Sequence, residues 1–512
     1  MLGLIPNSLN WDEVSWGYNS YSILKTGQDE YGKFMPLSFQ AFGDFKQPVY
    51  VYASVIPIKI FGLNSFAVRF PSAFFGSITI IFVFLLTYEL FRKENLRANL
   101  ALLSMALFAI SPWSIQFSRV AFEANLGIFF TIAGVFLCAY AFRNKNLLLS
   151  IIGLIVFSIS CYTYHSQKIF TPILFIGLLV YGKNYIFSRR KVAVILIIVF
   201  LFSNLLWLTD FRTTKRGRSV MFTSQQTIIL KESIENIRYD NLNQDFIGQV
   251  LHNRRLVYLS KYLENYLIHF SPNFLFMYGD NARHHAPDNG LIYLVSLPFI
   301  IIGMVNLVKK KSSNVGFLFF WLLTAPIASA LAVDAPNASR SLVFLPIWQI
   351  ITAYGIITTI TNKTKFFKLW LIFSILFLYT ANFIYYIHNY FNHTDTDFSP
   401  YWQYGYREAV LDTKSEKDKP IIYLSDLEQP YIFYLFYTKK EPSDYLRFTG
   451  SSVRRNECFT IDNAFFGKCE DKIKPNTVVI SDKFVPDAYK YKRKDITHPN
   501  GDKALSIYRI DK

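Results

Sequence analysis

The residues best placed to do chemistry are charged groups gathered at one set of ends of long uncharged stretches. Arg69, Arg119, Glu123, Asp334 and Arg340 lie there, and a polar, aromatic N-terminal segment adds Asp12-Glu13, Asp44 and Lys46. Charge beside a membrane helix is costly, so its position carries information. A carboxylate can take the proton from an incoming hydroxyl. Arginine and lysine can stabilise the charge that develops on a departing phosphate. One carboxylate with several cations is therefore a sufficient kit for moving a sugar off a lipid phosphate, whose lipid would lie in the bilayer and whose phosphate would lie at its boundary. Plainer readings stand beside this one. Asp12 and Glu13 also suit the first turn of a helix, Lys46 suits a snorkelling interfacial lysine, Arg69 suits an interface anchor, and Arg119 with Glu123 suits an i,i+4 ion pair.

The elements that must position these groups follow from the apolar pattern. The 512 residues are 52% hydrophobic and only 17% charged, with a net charge of +17. Uncharged runs occupy 70–88, 98–117, 124–142, 146–164, 192–209, 289–308, 312–333, 341–362 and 369–387, with a shorter one at 169–182. Each long run approaches the ~20 residues that a helix needs to cross a bilayer, which predicts a bundle of about ten transmembrane helices over 70–389. Five short loops (92–97, 143–146, 183–191, 309–311 and 361–368) hold fifteen cations and one acid, Glu94. The positive-inside rule puts all five in the cytoplasm and the charged site on the outer face of the cell membrane. Most of the +17 is then a topology signal rather than a nucleic-acid surface. A transporter or lipid flippase is the alternative, but it would more often carry ionisable groups at mid-span, and the long runs have uncharged centres. A third possibility is a non-catalytic scaffold whose outer tail binds partners.

Three outer pieces are too long to be connectors. They are the segment 1–69, the loop 210–288 and the tail 390–512. The loop opens on Arg212, Lys215, Arg216 and Arg218, and its part 224–270 has helical spacing suited to a bilayer surface. The tail shows strand-like runs at 420–424, 476–481 and 504–509 around a helical run at 428–438, which predicts a small α/β domain. The overall class is mainly α, a polytopic bundle with that outer domain. Cys458 and Cys469 both fall in the tail, where they form a disulfide or remain two buried thiols; Cys138 and Cys161 lie within spans as apolar filler. His284-His285 has no further ligand spaced to help it hold a metal, and Asp395-Thr396-Asp397 lies on the wrong side for cytosolic nucleotide sugars.

The ordered motifs carry a resemblance. Asp12-Glu13 opens the first outer loop, Asp44-Phe45-Lys46-Gln47-Pro48-Val49-Tyr50 closes it, and Arg69-Phe70-Pro71 follows. Ser118-Arg119 and Glu123 come next, then Phe270 to Phe276, Gly279-Asp280, Arg283-His284, Asp334 and Arg340. The order resembles the GT-C superfamily of glycosyltransferases, which includes protein O-mannosyltransferases and the lipid A aminoarabinose transferase. The resemblance implies an inverting transfer from a polyprenyl-phosphate sugar to a protein, lipid or envelope-glycan acceptor, without a cofactor or catalytic metal. It implies that Asp12 is the base, with Glu13 as its partner and Glu123 as the second-loop acid. It implies that Asp44, Lys46, Tyr50, Arg119, Arg283, His284 and Arg340 serve substrate binding. It also implies a transmembrane helix ahead of the acid pair, where this sequence has eleven residues before Asp12.

Overall fold

The computed structural model describes residues 2–209, 221–225, 231–310, 312–361, 363–424, 429–449, 457–483 and 490–511. The basic cluster Arg212 to Arg218 lies outside the described residues. Two compact units emerge. One comprises 1–73, 119–121 and 387–512, and the other comprises 74–118 and 122–386.

The N-terminal segment begins with helix α1 (Trp11–Thr26). Asn10 caps it by accepting from the Asp12 and Glu13 amides, and the Glu13 side chain returns to the Asn10 amide, a capping box that fixes where the helix starts. A small antiparallel hairpin follows, β1 (Phe39–Ala41) and β2 (Asp44–Lys46). Its two-residue turn puts Phe42 and Gly43 at φ 54° and 79°, the mirror-image geometry that matches strand twist. Helix α2 (Pro48–Phe61) then starts on Pro48, whose missing N–H costs nothing in a first turn.

The apolar runs form helices α3 (Ser65–Leu90), α4 (Arg97–Ile110), α5 (Pro112–Arg119), α6 (Glu123–Arg143), α7 (Leu147–Ile159), α8 (Gln167–Tyr181) and α9 (Arg190–Thr209). After the long loop come α13 (Leu297–Lys309), α14 (Ser313–Thr324), α15 (Leu345–Thr361) and α16 (Lys365–Asn392); the loop itself carries α10 (Lys231–Leu242), α11 (Phe246–Leu251) and α12 (Arg254–Ile268). Among the described residues, five helices are long and apolar enough to cross a membrane, or six if α4 and α5, bent by 57°, form one span. The other four expected spans are helices too, but shorter. The run 289–308 loses its first residues to irregular backbone and a 3-10 turn at Leu294–Ser296, 312–333 breaks at Pro326, and 146–164 tightens into a 3-10 turn at Ser160–Tyr162. The protein is a multi-pass membrane protein built on these helices. Gly303 and Gly355 let α13 and α15 cross closely, since a Cβ at Gly355 would stand 1.9 Å from the Phe299 carbonyl oxygen and one at Gly303 would stand 2.2 Å from that of Ile351.

The tail holds α17 (Tyr406–Thr413), β3 (Ile421–Leu424), α18 (Pro430–Thr438), α19 (Pro442–Thr449), β4 (Phe459–Ile461), β5 (Ala464–Phe466), β6 (Val478–Ser481), β7 (Tyr491–Thr497) and β8 (Lys503–Ile510). The sheet order is β4-β5-β3-β6-β8-β7, with β3 parallel to both neighbours. The three expected strands are β3, β6 and β8. The charged edge strand β7 has most of its side chains in solvent, a composition that protects an unpaired edge. Cys458 and Cys469 are joined by a disulfide, eleven residues apart, with Cys469 packed in the core beside Ile422 and Val479. Cys458→Ser with Cys469→Ser is expected to cost the protein about 2–3 kcal/mol, the closure entropy of so short a loop. Limited proteolysis of the tail checks this, because a tail that resists protease equally well without the bridge would count against it.

Candidate active site

The N-terminal unit brings together the acid pair, the hairpin and the first turn of α3. Capping directs the two acids apart. The Asp12 carboxylate stays one-third exposed and lies 2.6 Å from the Lys46 ammonium, which is itself 7% exposed. Lys46 ends β2, and the rings of Trp16 and Phe42 each stand 4.9 Å from its nitrogen. The hairpin turn thus delivers a cation into an aromatic box beside the acid.

Glu13 is fully buried. Its Oε1 accepts from Arg69 Nε at 2.8 Å and from the Ala121 amide at 3.0 Å, while Oε2 accepts from the second Arg69 terminal nitrogen and the Asn10 amide, both at 3.1 Å. Arg69 turns its remaining donors to the carbonyls of Pro6 and Ser8. This arginine, which the sequence suggests as an interface anchor, clamps the acid-bearing loop. Tyr50 is also buried, its hydroxyl donating to the Val68 carbonyl at 2.9 Å and its ring 5.0 Å from that of Trp16. Asp44 begins β2 and accepts from the Phe45 amide. The Arg119 guanidinium lies 5.2 Å and 5.1 Å from the rings of Tyr390 and Phe391.

The tail domain braces α1 within the same unit. The Trp11 amide donates to Gln403 and the Tyr18 hydroxyl to the Lys440 carbonyl, while Tyr431 donates to the buried Glu30 carboxylate, which Asn19 also holds. A Cβ on Gly17 would stand 2.6 Å from both Phe436 and Val68, so α1 sits as close to the tail as a backbone can. The Asn7 amide donates to Asp395, whose carboxyl is pushed up by burial.

The second unit carries Glu123, Arg283, His284 and Arg340. Glu123 opens α6 and is buried. The Arg283 carbonyl accepts from Gln116. His284 is buried, with Nδ1 2.7 Å from Asp280 and Nε2 3.0 Å from the Ser339 hydroxyl. Burial raises the Asp280 carboxyl, but the His284 ring and the Ala338 amide outweigh it and hold the group below the usual carboxylate range. Arg340 pairs with Asp334, which also accepts from Asn337. The 280–285 turn is thereby fastened to the 334–340 loop. Asp280 and Ser339 were not among the expected site residues, although the i,i+4 spacing of Asp280 and His284 is visible in the sequence. Among the described residues, no group of three His, Cys, Asp or Glu side chains could hold a metal ion.

His269 lies under this loop. Its Nδ1 faces the Asn265 carbonyl at 2.7 Å, so it carries the proton, and Nε2 accepts from the Ser329 hydroxyl at 2.7 Å. Burial pushes the imidazole down to about 4, from 6.5, against the pull of the Asn265 carbonyl. The folded state therefore binds fewer protons than the unfolded one between these values. His269 contributes stability above pH 6.5 and loses it as pH falls toward 4, by about 3 kcal/mol. Thermal unfolding in detergent across that range should show the fall, and His269→Gln should flatten it.

Comparison with known proteins extends this picture. ArnT from Cupriavidus metallidurans in the apo state superposes with a TM-score of 0.55 at 10% identity, over 98% of this chain and 94% of that one. The same enzyme bound to undecaprenyl phosphate gives 0.51 at 9% identity, over the same shares. The Archaeoglobus fulgidus oligosaccharyltransferase tethered with an acceptor peptide gives 0.53 at 14% identity over 84% of this chain, which spans 59% of that protein's length. No curated protein matches the sequence. The helical bundle with its C-terminal sheet domain is the GT-C fold. Residues 2–208 match the family model for dolichyl-phosphate-mannose-protein mannosyltransferase.

Proposed function

We propose that the protein transfers a sugar from a polyprenyl-phosphate donor to an acceptor hydroxyl on the outer face of the cell membrane, inverting the anomeric carbon. The observation that carries this reading is the ion pair of a one-third exposed Asp12 with the buried Lys46 at 2.6 Å. A donor phosphate competes with Asp12 for Lys46, so its arrival frees the carboxylate for the acceptor. Asp12 then takes the hydroxyl proton as the acceptor oxygen bonds to the anomeric carbon, and the electrons of the broken C–O bond leave on the phosphate beside Lys46. Glu13, enclosed by four donors, acts as a positioning residue. Glu123, Arg283 and Arg340 keep the roles that the family resemblance implies.

Similarity to a transferase solved with undecaprenyl phosphate supports a lipid-linked donor. The protein's partners on this reading are that donor, the surrounding lipids and a protein, lipid or envelope-glycan acceptor. A screen of the purified full-length chain with labelled polyprenyl-phosphate sugars and membrane extracts tests it. Transfer from at least one donor with inverted stereochemistry is expected, and donor-independent movement of substrate across sealed vesicles without transfer would overturn it.

A further inference from the structure

The second unit holds a cavity of about 670 Å3 that the proposed transfer does not use. It lies where α3, α6, α8 and α13 end and α4, α7 and α14 begin, at the other end of those helices from Glu123 and the 280–285 turn. Five cations line it, Arg92, Lys93, Arg143, Lys145 and Lys310, with two carboxylates, Glu89 and Glu94. Both carboxylates are matched internally: Arg143 lies 3.0 Å from the buried Glu89, and Lys310 pairs with Glu94. Among the described residues, Arg92, Lys93 and Lys145 have no carboxylate within ion-pair distance, which leaves a net +3 at one cavity.

Membrane topology accounts for cations in loops, but it does not require three different loops to converge on one hollow. Lys145 is held at φ 53°, a backbone conformation that Asn or Gly adopts more readily; a long cation is kept there all the same. Tyr181 and Asn184 add neutral polar groups to the lining. Three unmatched cations exceed what one carboxylate ligand would neutralise, and they suit a multiply charged tetrahedral anion. We infer that this cavity binds a phosphate-bearing anion, either an anionic lipid headgroup entering from the bilayer or a soluble phosphate compound.

The full-length chain in phosphatidylcholine nanodiscs tests this, with cardiolipin as the lipid probe, followed by native mass spectrometry, and pyrophosphate as the soluble probe, followed by calorimetry. Saturable one-to-one binding of cardiolipin alone identifies a lipid source, and binding of pyrophosphate identifies a soluble one. Arg92→Gln with Lys93→Gln and Lys145→Asn should weaken binding by about 100-fold. Asn184→Trp, which fills the cavity and leaves its charge intact, should also abolish it. Lys363→Gln with Lys365→Gln and Lys368→Gln removes the same charge from a loop that does not line the cavity, and should bind as the parent does. Failure of both probes, equal loss in the two triple variants, or survival of binding in Asn184→Trp would overturn the inference.

Discussion

Asp12→Asn is expected to lower the rate of sugar transfer by about 100-fold or more, the usual contribution of a positioned general base, while leaving the fold intact. The substitution keeps the shape of the side chain. Asn10 caps α1 through the backbone amides of residues 12 and 13, so the helix start does not depend on the carboxylate. The Asn side chain can still accept from Lys46, whose aromatic neighbours Trp16 and Phe42 are unchanged. Loss should therefore fall on kcat, with the thermal midpoint close to that of the parent. A variant that turns over as fast as the parent with saturating donor would remove Asp12 from the base role.

The second large effect is on stability. Arg69→Leu should destabilise the protein by about 3–5 kcal/mol, because it leaves a charged group buried without its partner. Both Arg69 and Glu13 have fully buried side chains, and the change also strips a donor from the carbonyls of Pro6 and Ser8. Glu13→Gln should be costly for the mirror-image reason. In a double-mutant cycle the pair Glu13→Gln with Arg69→Leu should lose about 2 kcal/mol less than the sum of the single losses, since neither charge then remains unmatched. Simple addition of the two single losses would show that the residues are not one coupled unit. Activity should fall with stability in all three variants, since the clamp holds the loop that presents Asp12.

What could be read from the sequence follows physical lines. The helices were legible because lipid demands long runs without charge, but their lengths were not. Pro326 broke one run, a 3-10 turn tightened another and an irregular stretch took the start of a third, and such local breaks do not interrupt an apolar run. Asp12 and Lys46 could be picked out by type and position, but their pairing depends on a hairpin of two three-residue strands (Phe39–Ala41, Asp44–Lys46) too brief to leave a periodic signal. The link from Glu13 to Arg69 spans 56 residues, and no local pattern announces a contact at that distance. In the tail, β3 and β6 showed themselves because central strands are continuously apolar. The charged edge β7 and the three-residue β4 and β5 did not.

The bracing of α1 by the tail has a consequence for how the protein is made. The helix that carries the acid emerges from the ribosome early, whereas residues 387–512, which complete the same compact unit, are synthesised last. Until then Gly17 has no Phe436 to meet and Glu30 has no Tyr431. A nascent chain arrested before the tail therefore inserts its helices into the bilayer with the acid-bearing segment still unsettled. The acid-bearing segment settles only once the last quarter of the chain has been made.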